Sequence, residues 1–142
     1  MERILAMPLS QFLGIRPSSL GDSIAEMPFS NNLKNHVGTF HASAILSFAE
    51  ISCGICLAKS FPDFIETTLP VLRKAYSKFN APASKDLFST AKYVDTTIEE
   101  IKAQIDKHGR TSLRINVTLR DKDDKLVFKG DFDWFVSRGS AW

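Results

Sequence analysis

The sequence predicts one α+β domain built around a long buried helix. Two patterns carry that prediction. From His41 to Ser60 the apolar residues fall on every side of a helix, and from Ser112 to Arg120 apolar and polar residues alternate strictly, as in a half-buried strand. With 142 residues, 44% of them hydrophobic, the chain has material for one core and not for two, so residues 1–142 are expected to form a single domain.

Between Arg3 and Leu13, the residues Ile4, Leu5, Leu9 and Phe12 fall near helical spacing, but Pro8 limits this helix to a short or bent piece. A first strand is expected over Leu20 to Phe29. Ser30 to Phe40 is polar with three asparagines, and reads as a loop leading into the central helix. That helix runs from His41 until Pro62 stops it, and its many Ala, Ser and Gly residues let a sheet approach closely. Val71 to Ala81 is strand-like with Pro82 closing it, and Leu87 to Val94 is a further strand. Thr96 or Thr97 caps a short helix whose Ile98, Ile101 and Ile105 share one face. Glu99 or Glu100 completes the capping box, and Gly109 suits the stop. Leu113, Ile115, Val117 and Leu119 then mark the buried face of a strand. Asp121 to Lys125 turns the chain, and Leu126, Phe128, Phe132 and Trp134 supply the antiparallel partner. These terminal strands are expected to offer an edge for pairing between subunits.

Charge and cysteine content exclude some functions. Eighteen Lys plus Arg against 16 Asp plus Glu leave a net charge of +2, too small to indicate nucleic-acid binding. Glu2, Arg3 and Pro8 interrupt any signal-peptide core, and no segment reads as the roughly 18 to 20 apolar residues of a membrane span, so a soluble cytoplasmic protein is expected. Two cysteines three positions apart cannot staple distant parts of the chain, which agrees with a reducing compartment.

Glu50 is the one charged side chain between His41 and Ala58, and a lone carboxylate in such a helix must be paired, hydrogen-bonded or protonated. It is either a structural glutamate reaching the surface or a functional acid. Ser43, Ser47 and Gly54 share its face and form a small, polar stripe where another surface can pack. His41 stands where unpaired backbone N–H groups can hold a developing oxyanion, or else simply caps the helix, with Gly38 and Thr39 permitting a tight turn before it. Cys53-Gly54-Ile55-Cys56 has redox spacing but lies mid-helix among apolar residues, so core packing is expected, and no histidine has ligand spacing for a metal. Arg73, Lys74 and Lys78 read as a solvated strand face, or as contacts for the phosphates of coenzyme A.

The run Asn35-His36-Val37-Gly38-Thr39-Phe40-His41-Ala42, followed nine residues after His41 by Glu50, resembles the signature of hotdog-fold acyl-thioester hydrolases of the phenylacetate-pathway type. It is most similar to an uncharacterised thioesterase-like branch of that superfamily. The element order from about Leu20 to Val136 also fits. The resemblance implies a hotdog fold, with a long central helix wrapped by a curved antiparallel sheet, and an acyl-CoA or acyl-carrier thioesterase that needs no cofactor beyond coenzyme A in its substrate. It makes Glu50 the general base or nucleophile, has Asn35 orient water or the carbonyl, assigns the oxyanion to the Ala42 N–H, and has His41 position the thioester. Gly38, Thr39, Ser43 and Arg73 become substrate-binding residues.

Nine residues at about 100° and 1.5 Å each set Glu50 half a turn and about 13 Å from His41. If both serve one reaction, they come from different copies in a homodimer or dimer of dimers. The chain departs from its relatives at Ala42-Ser43, at Gly54, and at Leu72 and Arg73, where a water-holding serine often stands. The rival readings are a hotdog dehydratase or hydratase, for which His36 and Glu50 have the spacing but no proline lies between them, and a non-catalytic acyl-CoA-binding module.

Overall fold

Pro8 splits the N-terminal helical segment in two: α1 (Glu2–Leu5) ends before it, and α2 (Pro8–Leu13) begins on it, the helix position where a missing N–H costs nothing. The computed structural model describes residues 1–62 and 64–139. After α2 come β1 (Arg16–Pro17) and β2 (Ala25–Met27), paired antiparallel. The strand expected over Leu20 to Phe29 thus shrinks to three residues. Its first half is a turn, in which the Ser23 N–H donates to the Leu20 carbonyl and Ser18 bonds both Ser23 Oγ and the Leu20 N–H. Glu26, only 3% exposed, ties this corner together by accepting from Arg16 Nε and from the Ser19 N–H and hydroxyl.

A short 3₁₀ turn (Asn31–Leu33) leads to α3 (Ala42–Ser60). By length and composition these 19 residues could cross a membrane, contrary to the sequence reading, but here α3 is the core helix. Phe48, Ile55 and Leu57 press against Leu87, Ile115, Leu119, Phe128 and Phe132, all fully or almost fully buried. Next come a short α4 (Phe64–Thr67), β3 (Thr68–Phe79), β4 (Leu87–Val94), α5 (Ile98–His108), β5 (Arg110–Asp121) and β6 (Leu126–Arg138). In α5, Thr97 and Glu100 form the expected capping box and Gly109 closes the helix at φ 70°.

One antiparallel sheet of order β1-β2-β4-β5-β6-β3 packs its inner face on α3, which is the expected α+β layout. Its outer face is polar, with Arg114 on Asp133 and Asn116 on Asp131. The open long edge is β3, not the terminal hairpin: β6 is flanked by β5 and β3, an arrangement that hairpin periodicity cannot reveal. Along that edge Val71, Tyr76 and Phe79 are 41%, 52% and 46% exposed.

Candidate active site

Asn35 shapes the loop before α3. Its Oδ1 accepts from the N–H groups of Val37 (3.0 Å) and Thr39 (3.1 Å), while Nδ2 donates to Thr39 Oγ1 (2.8 Å) and the Phe40 carbonyl (3.2 Å). Two acceptances and two donations use the whole capacity of a primary amide. The side chain expected to orient water or a carbonyl is therefore committed to its own loop. Backbone bonds from Asn35 to Thr39 and from Gly38 to Asn35 close the turn, and Gly38 sits at φ 81°, where a β-carbon would be strained. Phe40 anchors the loop in the core, edge-on to Phe29, which leaves Val37 exposed at the tip.

At the start of α3, His41 is the N-cap: its Nδ1 accepts from the Ser43 N–H at 3.2 Å, with the Ser43 hydroxyl beside it. A neutral imidazole so engaged carries its proton on Nε2. Ala42 is the first helical residue, and among the described residues its N–H has no acceptor. It stands at the positive end of a 19-residue dipole, where an oxyanion is stabilised.

Glu50 lies eight residues further on, about 12 Å along the axis. It is half-buried, and among the described residues no hydrogen bond or ion pair holds its carboxylate. Burial pushes its carboxyl above the usual carboxylate range. Cys53, one turn further on, is fully buried. Burial raises its thiol strongly, the Trp134 N–H opposes that, and the Glu50 charge adds to it. Cys56 is raised by burial too, so neither free cysteine is poised as a thiolate, in keeping with core packing.

Sequence reasoning missed two neighbours of this site. The alternation marks Trp134 only as a core position of the last strand, yet its Nε1, buried beside Cys53, has no acceptor in hydrogen-bond geometry among the described residues. Ile4 of α1 rests on Gly54, so the polar stripe is covered at its far end by the chain's own first helix. The small residue at position 54 was the available signal.

The fold gathers Asn35, Gly38, Thr39, His41, Ala42 and Ser43 at one end of α3 and leaves Glu50 more than two turns away. Arg73 lies elsewhere, exposed at the bulge in β3 between Leu72 and Lys74, and lines an open groove of about 970 Å³ with Lys74, Arg114 and Asp133.

No curated protein matches the chain. Among solved structures it is similar to a protein of unknown function from Pseudomonas aeruginosa described as a probable thioesterase, at 19% identity and TM-score 0.80 over 96% of this chain and 91% of that one. It is also similar to a thioesterase from Haemophilus influenzae, at 17% identity and TM-score 0.72 over 96% and 87% of the two chains. A protein from Bacillus halodurans determined with CoA matches at 16% identity and TM-score 0.71, over 95% and 79%. At such identities the likeness establishes architecture: the fold is the hotdog fold. Residues 11–136 match the family model described as Domain of unknown function (DUF4442), and the chain belongs to that family.

Proposed function

We propose that the protein hydrolyses acyl thioesters, carried on coenzyme A or an acyl carrier protein, at a site completed by a second copy of the chain. The carrying observation is the pair formed by Glu50, a half-buried carboxylate with no described partner, and the unpaired Ala42 N–H at the start of the same helix. One carbonyl cannot touch both within one chain, because reacting groups must approach to about 3 Å and these are about 12 Å apart along the axis. A two-fold related copy brings Glu50 of one chain to Ala42 of the other. The edge strand β3, exposed at Val71, Tyr76 and Phe79, gives such a copy a strand to pair with.

In this reading the Ala42 N–H binds the thioester oxygen and His41 Nε2–H positions the thioester. Glu50 takes a proton from water as the oxygen attacks the carbonyl carbon. The C–S bond then breaks and the sulfur takes the proton from Glu50, which leaves a carboxylic acid and a free thiol. Asn35 holds the loop, Gly38, Thr39 and Ser43 border the substrate, and Arg73 contacts coenzyme A phosphates. No cofactor enters these steps. The thioesterases and the CoA complex among the similar structures support the reading, and two free buried cysteines support a cytoplasmic setting.

The test is release of free thiol from short, medium, long and aromatic acyl-CoA substrates by the parent protein and by Glu50→Gln. Turnover by the parent, lowered at least about a hundredfold in the variant, supports the assignment. Binding without turnover by the parent favours an acyl-binding module instead.

A further inference from the structure

A cavity of about 270 Å³, open to solvent on one side, lies between α2 and the first turns of α3. Leu9, Phe12 and Leu13 form its α2 wall, Ala44 and Ser47 its floor on α3, and Asn32, Leu33 and Lys34 its third side. His41 and Ser43, the residues on either side of the Ala42 N–H, also line it, so the space opens directly beside the proposed oxyanion position. Its volume equals that of about nine waters at ~30 Å³ each, enough for a medium-length alkyl chain or an aromatic ring. Leu13 is buried and pins α2 down, whereas Leu9 and Phe12 are 50% and 61% exposed. Single exposed apolar residues are ordinary; two that face a cavity beginning at the site are not explained by packing.

Resting on the thioesterase reading, we propose that this cavity takes the acyl group of the substrate, with α2 as the wall that sets chain length. A carbonyl held at Ala42 directs its sulfur and its acyl chain to opposite sides. The cavity offers the chain the apolar side chains of Leu9, Phe12, Leu13, Leu33 and Ala44, while the carrier side runs out towards solvent. Phe12 and Leu9 cover the outer part of the chain, and Ser47 leaves room at the floor that a larger residue would fill.

The test titrates the whole protein by calorimetry with S-alkyl-CoA thioethers, which cannot be hydrolysed, from ethyl to dodecyl. Affinity is expected to rise about fourfold per added methylene, the factor given by ~0.8 kcal/mol of burial, until the cavity is full. Ser47→Phe, which fills the floor, brings that plateau to shorter chains and costs the decyl compound at least about tenfold. Phe12→Ala, at an exposed position on which folding does not depend, weakens long chains several-fold more than ethyl. Absence of binding, affinity indifferent to chain length, or variants that shift every length equally would each overturn the pocket assignment. The matching thioesters distinguish the two readings. Length-dependent binding without hydrolysis removes the hydrolase and keeps the pocket; hydrolysis indifferent to Phe12 and Ser47 does the reverse.

Discussion

Asn35 grips Thr39 from both sides, donating from Nδ2 to the threonine hydroxyl at 2.8 Å and accepting its backbone N–H on Oδ1 at 3.1 Å. With the bonds to Val37 and Phe40, this one side chain fixes the path by which the chain enters α3. Asn35→Ala deletes all four bonds and is expected to cost about 1–3 kcal/mol in urea unfolding. Asn35→Asp keeps both acceptances and loses both donations, so it should fall between the two. Because the loop delivers His41 and Ala42, thioester kcat/KM should drop in the same order. Parent-like stability in Asn35→Ala would mean that the loop is held by Phe40 and the backbone alone.

Glu50 gives the protein a pH signature. An unfolded chain loses that proton near pH 4.3, whereas burial in the folded protein holds it to higher pH. Between the two values the folded state binds more protons, so stability falls as pH rises through that window. The penalty is absent below the unfolded value and complete above the folded one. Glu50→Gln, neutral throughout, is therefore expected to be more stable than the parent at pH 7 and equal to it near pH 4. Denaturant titrations at several pH values read this directly. Identical pH profiles in parent and variant would show a well-solvated carboxylate. By the same shift, the acid limb of kcat/KM should lie above the ordinary glutamate range.

A shared site can be tested by complementation. Ala42→Pro removes the proposed oxyanion donor at the first helical position, where proline is well tolerated, and His41 already has the extended backbone (φ −65°, ψ 135°) that proline requires of its predecessor. It should fold normally and lose about a hundredfold in kcat or more. Glu50→Gln should be comparably impaired. Unfolded together and refolded as a mixture, the two give heterodimers in which one site has both defects and the other has neither, so about a quarter of parental activity should return. Activity that stays at the level of the separate variants would place both groups within one chain or exclude them from the reaction.

The features visible in the sequence were those set by neighbours along the chain. The Thr97–Glu100 capping box, the stop at Gly109, the alternation from Leu113 to Leu119 and the apolar residues that recur around α3, interrupted by its small, polar stripe, are local patterns with local causes. The candidate residues between Asn35 and Ser43 cluster for the same reason, lying within nine positions of one another. The rest depends on distant partners. Ala25–Met27 survives as a strand by pairing with residues 87–89, and the free edge falls at β3 because β6 inserts between it and β5. Trp134 reaches Cys53 from 81 positions away. None of these is encoded in a window of ten residues.

Ile4 meets α3 at Gly54, where a β-carbon would sit 3.4 Å from Ile4 Cδ1. That is the near limit of ordinary contact, so alanine fits, and within a helix it is favoured over glycine by about 0.8–1.0 kcal/mol. Gly54→Ala is accordingly expected to raise stability by up to that amount. Gly54→Leu cannot be placed without displacing Ile4, which is 6% exposed and whose neighbour Arg3 also holds α1 through an ion pair to Glu66 at 3.0 Å. An exposed ion pair contributes at most about 1 kcal/mol, too little to hold α1 against that clash. The leucine variant should therefore release α1 while the sheet and α3 stay folded. Hydrogen exchange followed by mass spectrometry should then show faster exchange in residues 1–13 and unchanged protection in residues 110–138. Since α2 follows α1 after two residues, its hold on α3 should loosen as well, so preference for long acyl chains should weaken with the exchange. Unchanged exchange in residues 1–13 would show that Leu13 and the core beneath it, rather than the Ile4–Gly54 contact, hold the N-terminal helices in place.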